Sequence, residues 1–250
     1  MKFDRVRRRD VAGLVLFLIS ALSLAGAGEK KEKPSGAQTV DSGSFGVFIK
    51  GQRVATETFS IEQQDSNSTI KSQLKEASGP ASQKSDLEMT AGGELVRYDW
   101  SQGAGGSLTV LPKDEFLLEK ISTAAYSKPA EQSFLLPNTS AILDNNFFVH
   151  REVLAWRYLA ANCKPQPEGM KCQNAPGDFG VLVPQDRTSM HVRLQFVGKE
   201  KVSFRGAERE LLRINLTGEN YAWALWLDDL DHFKLMKVTI AADNTEVVRD

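Results

Sequence analysis

The chain is poor in the residues that most enzymes and nucleic-acid binders rely on. Three histidines and two cysteines are spread over 250 residues, and 31 Lys+Arg against 32 Asp+Glu leave a formal charge of −1. That balance lacks the basic footprint that contact with a phosphate backbone requires, which excludes nucleic acid as a partner. A mean hydropathy of −0.31 and a single short apolar run exclude a polytopic membrane protein, because each span needs about 20 apolar residues. No G-x-S-x-G elbow, H-E-x-x-H pair or G-x-x-x-x-G-K loop is present, so the commonest hydrolase, zincin and nucleotide signatures are missing.

The one apolar run lies at the amino terminus. Lys2, Arg5, Arg7, Arg8 and Arg9 precede an uncharged stretch from Val11 to Ala27 that ends in Ala25-Gly26-Ala27. A basic region, an apolar region and small residues at the exit describe a signal peptide over 1–27, with cleavage after Ala27. An uncleaved anchor is the alternative. Export to the periplasm or the medium is the expectation, with membrane contact only through the signal. Residues 28–43, charged and small, read as a flexible linker, and 44–250 as a single domain.

In an exported chain, two cysteines nine positions apart suggest one local disulfide, Cys163 to Cys172. The intervening Lys-Pro-Gln-Pro-Glu-Gly-Met-Lys is too rich in Pro and Gly to suggest regular structure. It holds no histidine that could complete a zinc site.

From Ser44 the hydrophobic period becomes two. Phe45, Val47 and Ile49 alternate, Gly51-Gln52 turns, and Ala55, Phe59 and Ile61 alternate again, predicting a hairpin. Short strands follow at even spacing up to Leu136, separated by turn residues such as Gly92-Gly93 and Gly103 to Gly106. Between Asp144 and Asn162 the period becomes helical. Asp144 or Asn145 serves as N-cap, and Cys163-Lys164-Pro165 stops the run. Phe147, Phe148, Val149, Val153, Leu154, Trp156, Tyr158 and Leu159 cover most of the helix circumference, leaving His150 and Arg157 as the polar strip. After the cysteine loop, Met190, Val192, Leu194 and Phe196 alternate with His191, Arg193 and Gln195. Strands then continue through Leu212, Ile214 and Leu216 to Val247-Val248. About a dozen strands and one helix predict a mainly β, α+β fold. The sheet is curved and antiparallel, half-barrel or lipocalin-like, with the helix on its concave face.

Three features carry a family resemblance: Gly46-Val-Phe-Ile-Lys-Gly-Gln-Arg-Val-Ala55, the mid-chain helix, and Leu225-Trp226-Leu227-Asp228 followed by Leu235-Met236-Lys237. Together they resemble exported bacterial half-barrel proteins of the LolA/LolB type and related uncharacterised exported families. The resemblance implies a sheet whose concave apolar face, in relatives of known role, shelters acyl chains. No lipid-attachment cysteine follows the apolar run, so transport of lipoproteins is not carried over.

The expected function is non-enzymatic binding, in the cell envelope, of a lipid or other apolar or amphipathic ligand, or of a partner segment, without a cofactor. Phe148, Val149, Val153, Trp156, Trp223 and Trp226 are the candidate ligand-binding residues. Trp223 and Trp226 have opposite parity and must point to opposite faces. One rival is an envelope structural or assembly protein whose helix fills the cavity. The other is a metal-assisted hydrolase using Asp228-Asp229-Leu230-Asp231-His232, against which stands the plain reading of a polar turn. Ser72-x-x-Lys75 matches an acylation motif but falls in a predicted strand, without the helix such chemistry uses and without a K-T-G partner.

Overall fold

The computed structural model describes residues 36–250 except 78, 80–81, 124–127, 167–168, 174 and 220–221. The signal segment and residues 28–35 of the linker lie outside the described residues.

Eight strands run in sequence order as an antiparallel meander: β1 (Gln38–Ile49), β2 (Gln52–Gln64), β3 (Asn67–Glu76), β4 (Ser82–Thr90), β5 (Leu95–Gln102), β6 (Gly106–Lys113), β7 (Phe116–Ser122) and β8 (Ala130–Phe134). A two-residue strand β9 (Ala141–Ile142) precedes the helix α1 (Val149–Asn162). After it come β10 (Cys163–Gln166), β11 (Gly169–Cys172), β12 (Gly177–Val183), β13 (Thr188–Phe204), β14 (Ala207–Thr217), β15 (Ala222–Asp228), β16 (Lys234–Ile240) and β17 (Thr245–Arg249). One sheet of 15 strands has the order β8-β7-β6-β5-β4-β3-β2-β1-β17-β16-β15-β14-β13-β12-β9. The two halves of the chain therefore join in mid-sheet, where β1 pairs with β17. The sheet does not close, because β8 and β9 are free ends.

The alternation read from sequence sets the inner face. Phe45, Ala55, Phe59, Ile61, Ile70, Leu74 and Leu87 from the first meander, and Val192, Leu194, Ile214, Leu216, Leu225 and Val238 from the second, pack in one cluster with the helix. Strand β1 begins at Gln38, six positions before Ser44, the expected start of the domain. Thr39 pairs with Glu62 and Asp41 with Ile61 across a bulge, so β2 organises these small and polar residues although they carry no hydrophobic signal.

The helix differs from expectation at its start and in its polar strip. Asp144 does not cap it. Its Oδ1 accepts the Asn146 N–H at 2.7 Å, a local turn that competes with helix, and helical structure begins only at Val149. His150 is not a polar surface residue; it is 1% exposed, beside the fully buried Arg151 and Glu152. The helix presents solvent only around Ala160 and Ala161, with Trp156 and Arg157 half-buried. Its N-terminal two turns are thus enclosed on every side.

Cys163 and Cys172 form the disulfide. The segment between them is a two-stranded hairpin, β10 with β11, in which the two cysteines face each other across the ladder. Cross-strand pairing gives the Pro/Gly-rich segment regular structure that its composition does not announce. A disulfide fits an oxidising compartment, and among the described residues no helix is long and apolar enough to cross a membrane.

Two consequences can be measured. Both cysteines should resist alkylation until reduced, and replacing both with Ser should lower the urea-unfolding free energy by about 2 to 3 kcal/mol, the chain-entropy value for so short a loop. Leu154→Ala, at a site 1% exposed in the middle of the helix, should cost about 2 to 5 kcal/mol in the same assay.

Candidate functional site

The helix N-terminus is where the inner face becomes chemically specific. The first backbone N–H groups of a helix have no partner within it, and here no side chain of the local sequence caps them. Glu57 of β2 supplies the partner. Its carboxylate accepts the Phe148 N–H at 2.6 Å and the Val149 N–H at 3.2 Å, and Ser72 of β3 donates to it at 2.7 Å. Glu57 is fully buried, and loss of hydration pushes its carboxyl up to about 7 against the hydrogen bonds and the Arg151 charge, which favour ionisation. Ser72 is thus a structural hydroxyl, and Lys75, an odd number of residues along, points away from it on the outer face.

Around this contact the helix buries three ionisable side chains in succession. Arg151 donates to the carbonyls of Asp144 and Phe147 and lies 4.3 Å from the Trp223 ring centroid. Glu152 accepts the Leu235 N–H at 2.8 Å and approaches Arg249, which in turn binds both oxygens of Asp41 at 2.7 Å. His150 packs edge-on against Tyr98, its two ring nitrogens without a hydrogen-bond partner among the described residues. Burial there pulls its pKa down to about 3. Tyr98 and Gln185 both donate to Asp144, which closes the polar cluster toward the β12–β13 turn.

The expected ligand-binding residues divide between two faces. Phe148, Val149 and Val153 belong to the inner core, with Trp223 packed against it and its ring 6.3 Å from that of Phe148. Trp156 is half-buried at the side of the helix, and its indole N–H donates to the Phe233 carbonyl at 2.8 Å. Trp226 is on the outer face with Phe204, Leu211, Ala224 and Met236. The opposite parity of Trp223 and Trp226 is realised, and the six residues do not form one site.

An opening lies next to Phe148. A cavity of about 330 Å³ is lined by Val47, Val54, Ala55, Leu74 and Phe148, with Glu76, Asn145 and Asn146 among its polar residues. It sits where β1–β3 meet the residues leading into the helix. A larger depression of about 690 Å³ crosses the outer face of β2–β6. There Lys71 stands opposite Asp86, Asp99 is held by Arg97 and Thr109, and Gln73 donates to Ser82. These are cross-strand partners on a solvated face.

In the Asp228 to His232 turn the polar side chains are engaged by neighbours and not by one another as a cluster, apart from His232 on Asp231. Asp229 pairs with Lys199 at 2.6 Å and Asp231 with Lys234 at 2.9 Å, while Asp228 accepts the Leu230 N–H and His232 rests on Asp231. The geometry is that of a polar turn joining β15 to β16. Among the described residues no group of three or more His, Cys, Asp or Glu is placed to hold a metal ion.

No family model, curated protein or solved structure matches the chain.

The buried groups give the fold a pH signature of definite sign. The native state holds a proton on Glu57 up to about pH 7, whereas the unfolded chain releases it near the ordinary 4.5. Its contribution to stability is therefore lost as pH rises between those values. His150 acts oppositely. The unfolded chain takes up a proton below about 6.5 and the native site does so only near 3, so stability falls with falling pH over that window. Glu57→Gln should flatten the first loss and His150→Leu the second, read as melting temperature against pH. A Glu57→Gln profile parallel to wild type between pH 5 and 7 would show that this carboxyl titrates normally.

Proposed function

We propose that the protein is an exported, non-enzymatic component of the cell envelope that binds an apolar or amphipathic ligand, or an apolar segment of a partner, at the mouth of its inner face beside Phe148. The curved sheet is read as a half-barrel, with the helix as its filling. One observation carries the reading: the apolar cavity of about 330 Å³ between β1–β3 and the start of the helix. Pockets for small ligands begin near this size and combine an apolar lining with a few polar groups. Phe148 is the residue through which an occupant would reach Trp223 and Arg151. Export rests on the sequence of residues 1–27 and agrees with the disulfide.

The filled concave face supports a second reading, that of a structural or assembly protein. Val149, Leu154, Ala155 and Tyr158 are all 0 to 1% exposed, so a long acyl chain cannot lie under the helix as it stands. An occupant enters only as far as the cavity mouth unless the helix moves.

A dansyl-labelled fatty acid titrated into the mature protein tests the proposal. Wild type should bind, and Ala55→Phe, which fills the cavity from its wall, should abolish binding while the variant keeps a cooperative melting transition at a lowered temperature. No binding by wild type, or full binding by a folded Ala55→Phe variant, would remove the inner site and leave the structural reading. N-terminal sequencing should find Gly28 first, and an intact Met1 on membrane-bound protein would replace cleavage with anchoring.

A further inference from the structure

The outer face of β15–β17 is unusual for the solvent side of a single-layer sheet. Ala224, Trp226 and Met236 project from it and cluster with Phe204 and Leu211 of the β13–β14 hairpin, with Val202 and Val248 packed against them. A cover is needed because this face is apolar, and the hairpin provides it. Its strands extend to a tight turn at Arg205 and Gly206, both at positive φ (52° and 81°), as a two-residue hairpin turn requires. A bulge between Phe196 and Gly198 interrupts the register of β13 before this distal half. The Lys237 ammonium donates to the Ser203 carbonyl at 3.4 Å and the Trp226 indole to Glu200 at 3.3 Å, which fastens the hairpin to the face.

The cover is incomplete. Two depressions flank the hairpin tip, one of about 470 Å³ whose lining includes Phe204, Arg209 and Met236, the other of about 420 Å³ whose lining includes Phe48, Arg53 and Val248. Arg205 and Asp250 line both. The charges around them are mostly matched. Arg53 pairs with Asp250, Lys237 with Glu246, and Arg209 reaches Asp228 at 3.8 Å. Arg205 has no hydrogen-bond or ion-pair partner among the described residues. An unmatched guanidinium thus stands at the junction of two depressions, each with two large apolar side chains, Phe204 and Met236 in one and Phe48 and Val248 in the other, among charged ones.

We propose that this outer cleft is a second binding site, independent of the inner one, for a single-chain anionic amphiphile: an acyl chain on the Phe48, Val248, Phe204 and Met236 floor with its phosphate or carboxylate head on Arg205. The guanidinium fork matches such head groups through paired, charge-assisted hydrogen bonds. The apolar floor supplies the part of the affinity that grows with chain length. The occupant is a single amphiphile taken from solution and seated in the depressions beside the hairpin tip.

Isothermal titration of the mature protein with dodecyl phosphate and with dodecyltrimethylammonium tests this. The expected result is binding of the first in clear preference to the second, weakened about tenfold or more by Arg205→Glu, as loss of a charge-assisted contact implies. The exposed tip makes that variant neutral to folding, which its melting temperature checks. Val248→Trp, placed in the floor, should weaken dodecyl phosphate while leaving inorganic phosphate unaffected. Ala55→Phe separates the two sites and should leave this binding unchanged even where it abolishes the inner one. Equal affinity for the cationic amphiphile, no effect of Arg205→Glu, or loss of dodecyl phosphate binding in Ala55→Phe would each overturn the proposal. So would sedimentation with phosphatidylglycerol vesicles in the absence of monomer binding.

Discussion

The contact of the Glu57 carboxylate with the buried helix N-terminus is the constraint around which the inner face is arranged. A helix end exposed to water can leave its first N–H groups to solvent, but this end is enclosed, so two unsatisfied donors would cost a few kcal/mol. The residues before it cannot help, since Asp144 is committed to Asn146, Tyr98 and Gln185. A carboxylate from the facing sheet is the solution. It is favoured by the partial positive charge of the helix end and disfavoured by its own desolvation, and the raised pKa shows desolvation to be the larger effect. The contact also fixes register. Shifting β2 by one residue would send Glu57 to the outer face together with Ala55, Phe59 and Ile61.

A second set of contacts ties the two meanders together at the same place. Asp41 of β1, Arg249 of β17 and Glu152 of the helix meet in one buried network, although Asp41 and Arg249 are 208 positions apart in sequence. Pairing of β1 with β17 brings the ends of the chain's two halves into mid-sheet, and the helix between the halves packs on the seam. Such non-local closure is slow to form, because the ends must meet before the contacts reward them. Buried ion pairs contribute little net energy but are costly to break singly, so the network is better understood as specifying which strands meet than as the source of stability.

Much of this architecture was legible in the sequence, and its illegible parts share one cause. Strands with one wet face announce themselves by alternation, as Met190 to Phe196 do against His191, Arg193 and Gln195. Opposite faces for Trp223 and Trp226 follow from parity alone. The helix C-terminal end is legible because Cys163-Lys164-Pro165 terminates it locally. Its N-terminal end is not, because Asp144 reads as a cap and only tertiary contacts decide that Glu57 serves instead. His150, Arg151 and Glu152 fail the same way. Three ionisable residues in a row signal solvent, and their burial depends on Tyr98, Trp223, Leu235 and Arg249, partners scattered over the chain. The apolar width of the helix was the signal that it would be enclosed, and it conflicted with reading His150 as a polar strip. β1 before Ser44 has only Val40 as apolar content, too little to show an alternation, and exists because β2 offers a ladder.

The strand Ala222–Asp228 links the two faces. A strand in a sheet with one buried side should alternate, yet Ala224, Leu225, Trp226 and Leu227 are all buried, a continuous run that normally belongs to a sheet covered on both sides. The inner side is covered by the helix, through Leu225 and Leu227. The outer side would expose an indole and Met236 if nothing lay over it, and a patch of that kind on a single-layer sheet invites association. The 17-residue strand β13, much longer than its neighbour β12 and than β15 itself, resolves this by carrying Phe204 onto the same face. Its length therefore follows from the composition of a strand two positions away in the sheet. The hairpin tip that results brings Arg205 to the edge of an apolar floor that the cover does not fully close.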